Sequence, residues 1–169
     1  MLALIQYQSS AEALQQIVFW SMGSLTRANW AANGVLAAVL IIALPILWAL
    51  GWRLTALRLG DARATAMGVN TSRLRIVVLI VVSLVAATTV AFAGIIGFIG
   101  LVGPHIARML VGEDQRYFLP ASMAAGAAVM CAAHAVSLMI KPGLAIPIGI
   151  VTSLLGVPFF IAIVMTRRR

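Results

Sequence analysis

The sequence predicts an all-α fold: a polytopic membrane helical bundle of about five spans, one of them a short broken helix. Three observations carry this. First, the 169 residues are 63% hydrophobic and only 9% charged, with a mean hydropathy of +1.08, whereas a soluble domain is about a quarter charged. Second, uncharged runs of roughly 20 residues or more recur along the chain, the length that crosses about 30 Å of hydrocarbon. Third, residues 97–108, GFIGLVGPHIAR, place three glycines and a proline inside an apolar run. Lipid-exposed backbone cannot be interrupted in this way, because its freed N–H and C=O groups find no water. Such a segment belongs against other protein or beside a water-filled path.

Taken in order, residues 1–30 read as the stub of a preceding span, MLALIQY, followed by an external amphipathic helix over 11–25. In that helix Ile17, Val18, Trp20 and Met22 stand among polar neighbours. The opening MLALIQYQSS has neither a basic n-region nor a small-residue cleavage site, so no cleaved signal is expected there. Residues 31–169 form the transmembrane domain. Its first span, 31–50, is flanked by Trp30, Trp48 and Trp52, as interfacial aromatics flank spans, and Pro45 should bend it. The loop 52–75 carries Arg53, Arg58, Arg63, Arg73 and Arg75 against a single carboxylate, Asp61. The positive-inside bias makes this loop cytoplasmic.

The next uncharged run, 76–103, exceeds one span by about a third. Either a single tilted helix uses all of it, or the helix ends near Gly94 and the chain returns as a short broken helix. That return would begin at Pro104, since proline suits a first helical turn, and would end at Gly112. Parity favours the return. Two further spans follow, 119–140 and 146–165, and the chain closes on Arg167, Arg168 and Arg169. Only a crossing and a return bring that tail to the same side as the arginine-rich loop. The expectation is five crossings, with the N-terminus outside and the C-terminus cytoplasmic. An odd span count behind an external stub suggests a fragment, or one half of a larger chain.

The net charge of +8 comes from arginines between and after apolar spans, where they set topology; no nucleic-acid partner is expected. The single cysteine, Cys131, cannot form an internal disulfide and reads as a small packing residue. No span contains a carboxylate, although ion-coupled carriers usually place ionisable groups at mid-membrane. His134, inside a span, reads as hydrogen-bonded to a neighbouring helix. His105, directly after Pro104, reads as helping to satisfy the broken helix start. The two histidines are far apart and lack the spacing of a metal site. There is no phosphate-binding GxxxxGK[ST] loop and no acid–base pair for intramembrane hydrolysis. No catalytic residue, metal or cofactor is expected.

A transporter of this composition takes its energy from a partner, and the loop LTALRLGDARATAMGVNTSRLR is where that partner would push. Gly60 or Asp61 can cap a short helix there, Asp61 also complementing the helix dipole. Ala62, Ala64, Ala66 and Met67 give it a slim surface, and Gly68 can close it in a left-handed cap. Asn70, Thr71 or Ser72 can cap the following span. Such a helix can slot into a cleft on a partner; a plain helical linker is the alternative. In the last span Gly149, Thr152, Ser153 and Gly156 make a small-residue face for close helix packing, and Pro158 should bend the helix below it.

FWSMGSLTRANW (19–30), LGDARATAMGVN (59–70), AGIIGFIGLVGPHIARMLVGEDQRYFLP (93–120) and IPIGIVTSLLGVPFF (146–160), in this order and spacing, resemble the permease subunits of bacterial ABC importers for iron–siderophore complexes, haem and cobalamin. The resemblance implies a full permease of about ten spans, of which this chain is the C-terminal half. It also implies a second, identical or homologous, permease copy enclosing a central path, ABC ATPase subunits below, and a substrate-binding protein delivering an iron chelate above. On the same resemblance Leu59, Gly60, Asp61, Ala64, Met67 and Gly68 contact the ATPase. Trp20, Gly23 and Ser24 on the external helix, with Gly149, Thr152 and Ser153 on the last span, lie beside the path. The chain departs from the family at His134 and Leu138, where an aspartate and an arginine are usual. Lys141 is the replacement expected to dock the binding protein. The implied function is a non-catalytic, ATP-driven importer component of the bacterial inner membrane. A half-size secondary transporter acting as a dimer, a non-transporting membrane scaffold, and a haem or cobalamin importer permease are the alternatives.

Overall fold

The computed structural model describes residues 7, 10–140 and 147–166, without the side chains of 162–164 and 166. Lys141 and the tail Arg167–Arg169 lie outside the described residues. Among these residues there are eight helices and no strand: α1 Ala11–Ser21, α2 Trp30–Ala49, α3 Gly51–Leu57, α4 Asp61–Ala66, α5 Thr71–Ala93, α6 Ile99–Val111, α7 Gln115–Ile140 and α8 Ile148–Thr166. The chain is thus an all-α bundle. Its α2, α5 and α7 are each long and apolar enough to cross a membrane, and α6 and the 148–161 part of α8 are shorter apolar helices.

Short polar side chains start the helices. Ser10 Oγ accepts from Ala13 N–H at 3.4 Å, Asn29 Oδ1 from Ala32 N–H at 2.7 Å, and Asn70 Oδ1 from Arg73 N–H at 3.0 Å. Each bond satisfies one of the donors that a helix start leaves unpaired. Of the three residues able to cap α5, Asn70 is the one that does. The helix α1, expected to lie outside the membrane, stops at Ser21, earlier than the predicted residue 25. Pro45 lies inside α2, and the chain turns at Leu50 into the short α3.

The long uncharged run divides as parity requires. The helix α5 ends at Gly94, whose φ is +78°, and α6 runs back to Gly112, whose N–H bonds Arg108 C=O at 3.1 Å. The return is visible in what the far end touches. Arg58, just past α3, donates from Nη1 to Glu113 C=O at 2.9 Å, and Gln115 N–H donates to Thr55 Oγ1 at 3.1 Å. The chain therefore comes back to the end from which α5 departs. At 1.5 Å per residue, α5 covers about 35 Å and α6 about 20 Å; the irregular stretch between them makes up part of the difference.

The start of the return is not where the sequence placed it. Pro104 lies well inside α6, not at its first turn. The helix begins instead at Phe98, which adopts φ +66° and accepts from both Leu101 N–H at 2.9 Å and Val102 N–H at 3.0 Å. Pro104 then removes one helical bond, the one to Gly100 C=O. His105 consequently has no helix start to satisfy; its ring packs edge-on against Phe159, with centroids 5.4 Å apart.

Small residues let the helices approach. A Cβ on Gly103 of α6 would lie 3.1 Å from Gly126 Cα of α7, so the two helices cross almost backbone to backbone. Such contacts hold bundles together where lipid removes the hydrophobic drive between helices. In contrast, α5 keeps only Leu74 buried, and Ile76, Leu79, Ile80, Val82 and Leu84 are exposed, as expected of a helix facing lipid or further protein.

Candidate functional site

Two places concentrate unusual structure, one at each end of α5. At its C-terminal end three segments are joined through backbone. Ser24 N–H bonds Ala93 C=O at 2.9 Å, Gly149 N–H bonds Met22 C=O at 2.9 Å, and Ile148 N–H bonds Gly23 C=O at 3.2 Å. The end of α1 is thereby tied both to the end of α5 and to the start of α8. Glycine makes this possible. A Cβ on Gly94 would overlap the Trp20 carbonyl oxygen, and one on Gly149 would overlap the Met22 carbonyl oxygen. Arg27 Nη2 also donates to Trp20 C=O at 3.3 Å.

Beside the joint opens a cleft of about 790 Å³, lined mainly by apolar groups and including Ser21, Met22, Ile95, Gly149, Ser153 and Pro158. Of the six residues expected beside a path, Gly149 and Ser153 line this cleft. Trp20 and Gly23 build the joint behind it, and Ser24 contributes its N–H there while its hydroxyl pairs with Thr26 at 2.7 Å. Thr152 does not face the cleft. It is buried, donates to Gly149 C=O at 3.2 Å, and lines a separate cavity of about 150 Å³ with Phe98 and Gly156. A Cβ on Gly156 would overlap the Phe98 ring, so this glycine is the seat for the residue that starts α6. Ile95 and Phe98 were not anticipated as site residues. The glycines around them signalled a break, but not which side chains it would aim into the bundle.

At the N-terminal end of α5 lies α4. Gly60, φ +98°, leads into it, and Gly68, φ +81°, closes it. Gly68 N–H bonds Thr65 C=O at 2.9 Å and Val69 N–H bonds Ala64 C=O at 3.0 Å, the paired pattern of a Schellman cap. The cap brings Val69 onto Ala64, and both are buried with Ala56 and Leu74 against Leu54 and Val78. This corrects one expectation. Ala64 is fully buried; it packs the helix onto the bundle and cannot belong to an outer surface. That surface is formed instead by Leu59, Gly60, Asp61, Ala62, Arg63, Ala66, Met67 and Gly68, all exposed.

Ion pairs brace this end. Arg75 donates to Asp61 Oδ1 at 2.7 Å, tying α4 to α5. Glu113 pairs with Arg58 and, at 3.4 Å, with Arg108, whose guanidinium lies 5.9 Å from the Phe118 ring centroid. All these charges are about half exposed, so each pair contributes little. Glu113→Gln is expected to lower stability by about 1 kcal/mol or less and the melting temperature in detergent by about 2–4 °C.

The chain is thus a helical bundle interrupted at a backbone joint beside an open cleft, with a small braced helix exposed at its other end. The chain belongs to the FecCD transport family, whose model matches residues 1–166. It is 37% identical over 166 residues to the hemin transport system permease HmuU of Yersinia pestis, covering 98% of this chain and 49% of that one. It is 41% identical over 144 residues to the Fe(3+)-citrate import permease YfmE of Bacillus subtilis, covering 85% and 43%. A solved structure of a metal-chelate-type ABC transporter in an inward-facing conformation superposes with a TM-score of 0.91 at 38% identity, over 97% of this chain and 53% of that chain. The chain spans about half the length of the curated relatives it matches. Other relatives bear names for molybdate and cobalamin import.

Proposed function

We propose that this chain is the C-terminal half of the permease component of an ATP-driven importer in the bacterial inner membrane, carrying an iron–siderophore or related metal chelate. The observation that carries the reading is the continuity of α5. One 23-residue helix is braced at its start to the exposed α4 and is bonded at its end to the joint that borders the cleft. A displacement of α4 is delivered along a stiff rod to the segments that line the opening. The mechanism needs no catalytic group in the chain. An ABC ATPase subunit seats α4 through Leu59 and Met67, nucleotide-driven motion of the ATPases moves it, and the cleft, completed by the remaining spans and a second permease copy, opens to one side or the other.

In this reading the arginine-rich end, with α4, is cytoplasmic, as the positive-inside bias requires. The cleft opens toward the side from which a substrate-binding protein delivers the chelate, and Lys141 is the docking charge proposed there. Relatives named for hemin, ferric citrate, ferric hydroxamate and ferric dicitrate outnumber those named for molybdate and cobalamin, so iron chelates are the favoured cargo class, without singling out one chelate. A cysteine at Met67, which is 45% exposed, is expected to crosslink to the ATPase in membranes. A cysteine at the fully buried Ala64 is expected not to. Equal crosslinking at both positions, or none at Met67 with an ATPase present, would refute the seating.

A further inference from the structure

We infer that a pocket between the C-terminal end of α2 and the N-terminal end of α5 binds the headgroup of an anionic phospholipid. The pocket, of about 250 Å³, has an apolar lining from Leu50, Val69, Leu74 and Val77 and a polar one from Arg53, Asn70 and Arg73, and it shares Gly68 with the end of α4. Its position is decisive. Both helices are membrane-length, Arg53 follows α2 by four residues and Arg73 is the third residue of α5, so the pocket lies at the level where a span leaves the hydrocarbon. Trp48, Trp52 and Ile76, exposed on the same chain stretches, extend the apolar surface on which acyl chains would lie.

Charge selects the occupant. Arg58, Arg75 and Arg108 each have a carboxylate partner. Arg53 and Arg73 have none among the described residues, and Asp61 and Glu113 are already engaged. Asn70 uses its side-chain oxygen to cap α5, leaving its NH₂ group to donate. Two guanidiniums and an amide around a half-apolar recess match a phosphodiester that must also keep its glycerol and acyl ends in contact with carbon. A basic recess between helices on the arginine-rich side of a membrane is the setting in which anionic headgroups bind. The inference rests on the membrane spans and on the arginines at their ends, and does not depend on what the chain carries.

The test uses the full-length protein purified in neutral detergent. Its thermal unfolding is followed with dioleoyl phosphatidylglycerol, dioleoyl phosphatidylcholine or inorganic phosphate added, and retained lipid is read by native mass spectrometry. Phosphatidylglycerol is expected to be retained and to raise Tm, while phosphatidylcholine does neither. The double variant Arg53→Gln/Arg73→Gln is expected to bind phosphatidylglycerol roughly thirtyfold more weakly, at about 1 kcal/mol per arginine near the membrane surface, with Tm in phosphatidylcholine unchanged. Should that variant misfold, Arg53→Lys/Arg73→Lys keeps both charges and is expected to preserve the preference for phosphatidylglycerol. Undiminished phosphatidylglycerol binding in the glutamine variant, or an equal shift with phosphatidylcholine, overturns the inference. An equal shift with inorganic phosphate would assign a free-anion site instead. Loss of a co-purifying ATPase with lipid binding intact would assign the arginines to a protein contact, and both of these outcomes also overturn it.

Discussion

Gly94→Val is expected to abolish accumulation of the folded protein in the membrane, or to leave a species that aggregates on extraction in detergent. Two independent penalties fall on this position. Its φ of +78° with ψ of −168° falls in a region that is essentially glycine's alone, and holding another residue there costs about 1–3 kcal/mol. The added Cβ also overlaps the Trp20 carbonyl oxygen. That atom is backbone and cannot rotate away, so α1 must move. Movement of α1 breaks the Ser24–Ala93 and Gly149–Met22 bonds together, and each of these groups that is left unpaired away from water costs about 1–3 kcal/mol. The sum approaches the 5–15 kcal/mol that separates a typical folded protein from its unfolded state. Gly97→Ala is the control. It lies three residues on in the same broken stretch, has no positive φ, and meets open space; its melting temperature is expected to stay within about 2 °C of wild type. A Gly94→Val protein that elutes as a single species with a wild-type melting curve would show that the joint does not hold the three segments.

The spans and the return were legible because their causes are local or additive. Hydropathy over about 20 residues marks a crossing whatever its neighbours are, and arginine placement fixes parity without any knowledge of packing. The Gly68 cap was readable for the same reason, since a glycine past a short helix admits few alternatives. What escaped was set by contacts between distant segments. The inward turn of Ala64 follows from the cap placing Val69 upon it, and a six-residue helix is too short for periodicity to mark a buried face. The start of α6 at Phe98 depends on the space Gly156 leaves in α8, some sixty positions away. Pro104, the stronger local signal, was therefore misleading. Thr152 and Ser153 are adjacent on a helix that is apolar all round, so nothing in the pattern distinguishes the side facing the cleft from the side facing α6.

The double substitution Leu59→Asp/Met67→Asp is expected to abolish ATP-driven uptake while leaving the bundle intact. Both side chains are exposed, Leu59 at 56% and Met67 at 45%, and neither belongs to the cluster that packs α4 onto the bundle. Away from such features, surface substitutions move stability by about 0.5 kcal/mol or less. Seated in a partner's cleft, the same two positions would lose apolar burial and place two carboxylates where no water reaches them. Central interface residues of this kind cost about 2 kcal/mol or more each when lost, so docking is expected to weaken on the order of a hundredfold or more. The measurement is paired: chelate uptake by proteoliposomes holding the complete transporter, and thermal unfolding of the permease alone. Uptake lost at unchanged Tm locates the contact on the outer face of α4. Ala64→Asp separates this from simple damage, because a carboxylate at that fully buried position destroys the packing of α4 and lowers Tm along with uptake. Wild-type uptake by the Leu59→Asp/Met67→Asp transporter would mean that force enters the bundle elsewhere. The rigid path through α5 would then lose its mechanical role, although the backbone joint at its far end would still be needed for the fold.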